Sequence, residues 1–201
     1  MAKIAVDVVL LPSEEVTSQA IEANNMLLKQ HADRIILDKE NCLPHISLAM
    51  GCINERDIAN IEKILESIAE KYNPGQLSII GINTGTNSLG EKVSAFEVKI
   101  TQKLLSLHKE VMRRMTPYFS YDAAAEMVFS PPKASESTLL WIKNYPEKSA
   151  FENFFPHITI GYGQIDDFSF TAEFTASKLA LCHLGNHCTC RKVLAAAELE
   201  C

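Results

Sequence analysis

Two histidines of this chain sit in nearly identical surroundings. Leu43-Pro44-His45-Ile46-Ser47-Leu48-Ala49-Met50-Gly51 can be laid on Phe155-Pro156-His157-Ile158-Thr159-Ile160-Gly161-Tyr162-Gly163 without a gap. Each segment reads apolar, Pro, His, Ile, hydroxyl, apolar, small, bulky, Gly. With 8 Pro and 6 His in 201 residues, fewer than one Pro-His pair is expected by chance. There are two, each followed by a hydroxyl two residues on. A repeated His-x-Ser/Thr pair can build one site from two matching halves.

Side chains along a strand alternate between faces. On a strand, His45 and Ser47 share one face and Ile46 and Leu48 the other, and His157 and Thr159 divide from Ile158 and Ile160 in the same way. The apolar members can anchor each strand while the polar pair looks into a cleft. Imidazole, with an ordinary pKa of about 6.5, can serve as base or acid near neutral pH. One neutral histidine can take a proton from a nucleophile, and one protonated histidine can give a proton to a leaving oxygen. Two hydroxyls can donate to non-bridging phosphoryl oxygens. In-line displacement at phosphorus uses such an acid and base on opposite sides, and it requires no metal. A single Pro-His-Ile-Ser is more often a strand histidine with a satisfied hydrogen bond. The matched pair points to chemistry because core packing repeats apolar residues, not a histidine and a hydroxyl.

The elements that must position these residues follow from the surrounding pattern. The apolar run 6–11, closed by Pro12, predicts a buried strand, and Ser13-Glu14-Glu15 a helix start leading into a helix over 15–32. A short strand is expected at 35–37. The clearest helix is 55–72, where Ile58, Ile61, Ile64, Leu65 and Ile68 make an apolar stripe. Strands at 77–82 and 93–100 flank a Gly- and Asn-rich turn at 83–90. In the second of these, Ser94, Phe96, Val98 and Ile100 alternate with Val93, Ala95, Glu97 and Lys99, which predicts one buried face. Helices at 104–115 and 135–145 are separated by Pro131-Pro132, and strands close the chain near 168–184 and 188–199. A helix precedes each motif, an order that suits two similar α+β lobes facing one another.

Composition narrows the partners. A net charge of −6 argues against a grip on long duplex nucleic acid, which favours a basic surface, and leaves room for a small anion in a local pocket. The apolar N-terminal stretch is too short and interrupted to span a membrane and lacks a signal-peptide cleavage pattern. No membrane partner and a cytoplasmic location are therefore expected. The six cysteines, at 42, 52, 182, 188, 190 and 201, are scattered, so free thiols are expected. Cys182-His183, His187-Cys188 and Cys190 could suggest a metal site, but their spacing departs from that of zinc sites. Structural residues are expected there, with 184–187 forming a hairpin turn and no metal bound. Cys42 precedes His45 by three residues and would face the other way on a strand, which argues against a cysteine nucleophile.

At the two motifs the chain resembles the two-histidine (2H) phosphoesterase superfamily, which includes the bacterial and archaeal 2′-5′ RNA ligase-like proteins and the cyclic nucleotide phosphodiesterases. The family signature is two well-separated His-x-Ser/Thr-x segments, here His45-Ile46-Ser47-Leu48 and His157-Ile158-Thr159-Ile160. The resemblance implies one α+β domain over residues 1–201, made of two intertwined lobes. This is a bilobal duplicated fold in which two pseudo-symmetric antiparallel-rich sheets flank a central groove, with helices outside. It implies His45 and His157 as the catalytic acid/base pair and Ser47 and Thr159 as the phosphate-binding residues. The implied reaction, without metal or cofactor, opens a 2′,3′-cyclic phosphate on a nucleotide or RNA end. Cleavage or ligation of 2′-5′ phosphodiesters and a non-catalytic phosphonucleotide-binding module are the alternatives. A monomer is expected. Tyr162 is a candidate for stacking on a base, and Lys133, Lys143, Lys148 and Arg113-Arg114 could supply a local basic patch.

Overall fold

The computed structural model describes residues 2–29, 35–87, 90–166 and 168–199. The chain runs β1 (Lys3–Pro12), α1 (Glu14–Leu28), β2 (Ile46–Asn54), α2 (Ile58–Ala69), β3 (Leu77–Thr86) and β4 (Lys92–Val98). It continues through α3 (Gln102–Met115), α4 (Glu136–Lys148), β5 (His157–Tyr162), β6 (Ala172–Phe174), β7 (Ala176–Leu184) and β8 (Cys190–Glu198). The helices form where the periodicity requires. In α2, Ile61, Leu65 and Ile68 are fully buried. In α3, Leu104, Leu107, Val111, Met112 and Met115 are buried, and the Thr101 hydroxyl accepts from the Leu104 amide to cap the first turn. Among the described residues no helix is long and apolar enough to cross a membrane.

The strands make one eight-stranded antiparallel sheet in the order β6-β3-β4-β5-β2-β1-β7-β8, curled into a half-barrel. The α+β, antiparallel-rich class expected from the motifs is what the chain adopts. The two expected sheets are present as two four-stranded halves, β6-β3-β4-β5 and β2-β1-β7-β8. They fuse where β2 meets β5, through a single registered pair, Ile46 and Ile158. Each motif strand is thus the inner edge of its own half.

The two halves share an irregularity that alternation along the sequence does not reveal. Between β1 and β2 the register slips at Val8/Val9: Val8 pairs with Ala49 but Val9 with Ser47, leaving Leu48 as an extra residue. Between β4 and β5 it slips at Ser94/Ala95: Ser94 pairs with Gly161 but Ala95 with Thr159, leaving Ile160 extra. These are matched β-bulges, three residues after each histidine. A bulge shifts which later side chains share a face.

A bulge also frees a carbonyl from the ladder, and a buried carbonyl needs a donor. Each is met by a buried polar side chain from a helix. The His108 Nδ1–H of α3 donates to the Leu48 carbonyl at 2.8 Å, and Asn24 Nδ2 of α1 donates to the Ile160 carbonyl at 2.8 Å. His108 Nε2 accepts from the Phe151 amide at 2.8 Å. The Asn24 side chain also donates to the Ile35 carbonyl and accepts from the Leu37 amide, both at 2.9 Å. Asn24 therefore ties the lead-in of the first motif to the bulge of the second, and His108 ties the lead-in of the second to the bulge of the first. A Cβ on Gly161 would stand 3.0 Å from Asn24 Nδ2, so glycine leaves the room this clamp needs.

Several expectations need correction. Residues 35–37 form no strand; they are held by Asn24 instead of a ladder. The turn expected at 83–90 starts only after β3 ends at Thr86, and Ile100, expected on the buried face of its strand, lies beyond β4 and is exposed. The expected free thiols hold for Cys42, Cys52 and Cys188. Cys182 and Cys190 instead form a disulfide between β7 and β8, whose pairing brings their Cα atoms to 5.5 Å. Cys201, the end of the expected 15–32 helix at 30–32, and residues 88 and 89 of the expected 83–90 turn lie outside the described residues.

Candidate functional site

The seam carries the site. The apolar members of the motifs point away from it: Ile46, Leu48, Ile158 and Ile160 are completely buried. His45, Ser47, His157 and Thr159 are each partly open. Around the Ile46–Ile158 pair, antiparallel running sets His45 on the side of Thr159 and Ser47 on the side of His157. The four polar residues thus surround one point on a single face. The structure brings all four sequence-derived site residues together.

Both imidazoles are oriented by the same device. The Nδ1–H of His45 donates to the Leu43 carbonyl at 2.8 Å, and the Nδ1–H of His157 donates to the Phe155 carbonyl at 2.8 Å. A carbonyl can only accept, so each neutral ring carries its proton on Nδ1 and keeps the lone pair on Nε2. Burial lowers both histidines below the usual range, His45 to about 4. The nearby His157 ring adds to the lowering of His45, and the Leu43 carbonyl opposes it. Both rings are therefore neutral at pH 7, each able to accept a proton at Nε2.

Two further residues reach this face. Asp7 and Val9 alternate on β1 and so share a face; their partners across β2 are Met50 and Ser47. Asp7 is fully buried, and its Oδ2 shares a hydrogen bond of 2.6 Å with the Ser47 hydroxyl. The same oxygen lies 3.9 Å from His45 Nε2. Its Oδ1 makes no hydrogen bond of normal geometry among the described residues. Burial raises the Asp7 carboxyl to about 8, against the opposing pull of the Ser47 hydroxyl and the Ala49 amide. Asp7 is thus a neutral acid at pH 7, and its approach to His45 is not an ion pair of opposite charges. Asp7 is the one charged residue inside the apolar run 6–11, and that placement is the signal by which the sequence could have pointed to it.

A raised carboxyl has a consequence for stability. Between pH 4 and pH 8 native Asp7 holds a proton that an unfolded aspartate, with a pKa of about 4, has lost. Stability therefore falls as pH rises through that window and levels off above it. Asp7→Asn removes the dependence. Its unfolding free energy relative to wild type should gain more than about 1.4 kcal/mol between pH 5 and pH 8.5, one pK unit's worth. Denaturant unfolding at the two pH values checks this; equal differences would place the Asp7 proton elsewhere.

In the other half the same bulge brings Tyr162 onto the face of His157 and Thr159, because its partner Val93 shares a face with Ala95, the partner of Thr159. Tyr162 is half-buried, and its hydroxyl is hydrogen-bonded to His187 Nδ1 at 3.0 Å. The exposed ring beside the second histidine is Phe155, whose centroid lies 5.7 Å from that of His157. In the sequence Phe155 reads as merely the apolar residue before Pro156.

Other expectations resolve as follows. Arg113 and Arg114 both pair with Glu110, at 2.7 and 3.8 Å, so they do not supply an unpaired basic patch. Cys190 is bonded to Cys182, which removes it from any metal-ligand set. Among the described residues no group of three His, Cys, Asp or Glu side chains is arranged to hold a metal ion.

No family model and no curated protein matches the sequence. Solved structures do match. TT0787 of Thermus thermophilus aligns at 14% identity with a TM-score of 0.60, covering 98% of each chain. E. coli LigT in its apo form aligns at 12% identity and a TM-score of 0.56, covering 100% of each chain. E. coli LigT complexed with 3′-AMP aligns at 13% identity and 0.50, again over 100% of both. Over nearly all of its length, the chain has the fold of TT0787 and LigT.

Proposed function

We propose that this chain is a 2H-type phosphodiesterase that opens a 2′,3′-cyclic phosphate on a small nucleotide or RNA end, acting as a monomer. The observation that carries the reading is the pair of imidazoles, each locked through Nδ1, each with a hydroxyl beside it, on one face of the seam. The likeness in fold to LigT, a protein solved with 3′-AMP, supports a nucleotide-sized ligand.

In this mechanism one histidine takes a proton from water at Nε2 as the water oxygen attacks phosphorus. The bond from phosphorus to one ribose oxygen breaks, and the other histidine, protonated, gives its Nε2 proton to that oxygen. The products are a nucleoside monophosphate and a net transfer of one proton between the rings. Both rings are neutral at pH 7 before substrate binds, so the acid is protonated only once the anionic phosphodiester arrives, because a nearby negative charge favours imidazolium. Ser47 and Thr159 donate to the non-bridging oxygens. The exposed ring of Phe155 is suited to stack on a base next to His157.

The test is hydrolysis of the four nucleoside 2′,3′-cyclic monophosphates in the presence of EDTA. Turnover of at least one is expected. Ser47→Ala and Thr159→Ala should each lower kcat, by about 100-fold for a lost oxyanion donor. Binding of all four without turnover would replace the enzyme reading with that of a phosphonucleotide-binding module. Turnover of a 2′-5′-linked dinucleotide alone would move the substrate to that linkage.

A further inference from the structure

The two halves of the site are matched at the histidine, the hydroxyl, the bulge and the carbonyl-capping clamp, and they differ beside the hydroxyl. Beside Ser47 stands Asp7; at the equivalent place beside Thr159 stands Val93, which has no proton to give or take. We infer that Asp7 is a positioning residue that decides, through its own proton, whether Ser47 can donate to a bound phosphate group. This rests on the phosphodiesterase reading of the same groove.

A serine hydroxyl has one hydrogen and two lone pairs. When Asp7 is a carboxylate, Ser47 spends that hydrogen on Oδ2, 2.6 Å away, and turns lone pairs toward the groove. An arriving anion then meets lone pairs and, behind them, a buried negative charge. When Asp7 is a carboxylic acid, it donates to Ser47 Oγ, and the Ser47 hydrogen is released for a phosphoryl oxygen. The switch is made by rotation of two O–H bonds; no heavy atom shifts. Burial favours the acid form, since a fully buried carboxylate, one oxygen of which makes no hydrogen bond of normal geometry among the described residues, bears the cost of desolvation.

The groups facing Asp7 leave a clear window in which to see this. From the first motif come His45, just before β2, and Ser47, on β2, and His45 is already neutral above pH 7. From α4 comes Tyr145, held well above its ordinary value by burial. From the turn Asn186–Cys188 comes Cys188, whose thiol burial also pushes up. Tyr121, near Tyr145, is likewise raised. Across from Asp7 on β7 is Cys182, which is disulfide-bonded and does not titrate. Asp7, at about 8, is the group of this cluster that ionises between pH 7 and pH 9.5.

The experiment is calorimetric titration with inorganic sulfate, a dianion throughout that range, at pH 7 and pH 9.5 and constant ionic strength. Wild type should lose affinity at the higher pH by about 10- to 30-fold, the upper limit being the fall in the protonated fraction of Asp7 between those pH values. Asp7→Asn, whose amide donates to Ser47 at every pH, should lose that dependence, whatever its affinity at pH 7. Ser47→Ala should keep only the smaller part that the Asp7 charge contributes by repulsion, and it decides the matter should Asp7→Asn not fold. Thr159→Ala should keep the whole dependence, since its half has no such carboxyl. A wild type without the alkaline fall, an Asp7→Asn protein that retains it, or a Ser47→Ala protein that retains it in full overturns the inference and leaves the phosphodiesterase reading standing. A wild type that binds no sulfate at either pH overturns that reading and the inference with it.

Discussion

His45→Ala and His157→Ala each lower turnover of a nucleoside 2′,3′-cyclic monophosphate by at least about 100-fold and up to about 10,000-fold, with folding intact. That range is the usual worth of a positioned general acid or base. Each ring is only partly buried, and its one backbone tie is to a carbonyl two residues upstream, so alanine leaves a small gap and no large unpaired cluster. The double variant should be little worse than either single one, because an acid and a base that act in one step fail together. The pH profile adds a second arm. The free enzyme's two histidines are both held below their ordinary range, His45 to about 4. The optimum of kcat/KM, which reports the free enzyme, should therefore lie on the acid side of 6.5. The optimum of kcat, which reports the complex, should lie higher, because the bound phosphodiester's charge favours imidazolium. Either single variant turning over at the wild-type rate would remove that histidine from the chemistry.

What the sequence showed and what it hid divide along physical lines. The four polar residues of the motifs were legible because they break a strand's apolar pattern twice in the same way. Helices α2 and α3 were legible because their stripes repeat at three and four residues. The bulges were not. An inserted residue between two apolar neighbours leaves no mark in a string that already reads Ile-Ser-Leu-Ala-Met or Ile-Thr-Ile-Gly-Tyr. Without the strand register the face of Asp7, and without the bulge the face of Tyr162, could not be assigned relative to the histidines. Asn24 and His108 were hidden for a related reason: inside an amphipathic helix a single polar residue on the buried side looks like a boundary of the stripe. The strand expected at 35–37 is absent because its apolar residues answer to a side-chain clamp and not to a neighbouring strand.

That clamp carries the second large effect. Asn24→Leu should cost about 3–5 kcal/mol of unfolding free energy and His108→Leu about 2–4, the span for buried polar groups left unpaired. Asn24 satisfies three backbone groups, the Ile35 and Ile160 carbonyls and the Leu37 amide, whereas His108 satisfies two, the Leu48 carbonyl and the Phe151 amide. Leucine is the sharper probe because it fills the space and keeps water from replacing the lost partner; alanine at either place should be milder where water enters. Both side chains are buried, Asn24 at 1% and His108 at 0% exposure, so solvent cannot supply the missing bonds in the intact fold. The His108 ring also stacks on Phe154 at 3.9 Å, between the clamp and the second motif, and leucine forfeits that contact as well. Urea unfolding with both variants checks the order: Asn24→Leu worse than His108→Leu, both outside the range of a surface change. Because each clamp joins the lead-in of one motif to the bulge of the other, the folded fraction of either variant should also lose kcat at both ends of the pH range equally. A cost below about 1 kcal/mol at both positions would mean that the bulge carbonyls find other donors and that the seam is held by strand pairing alone.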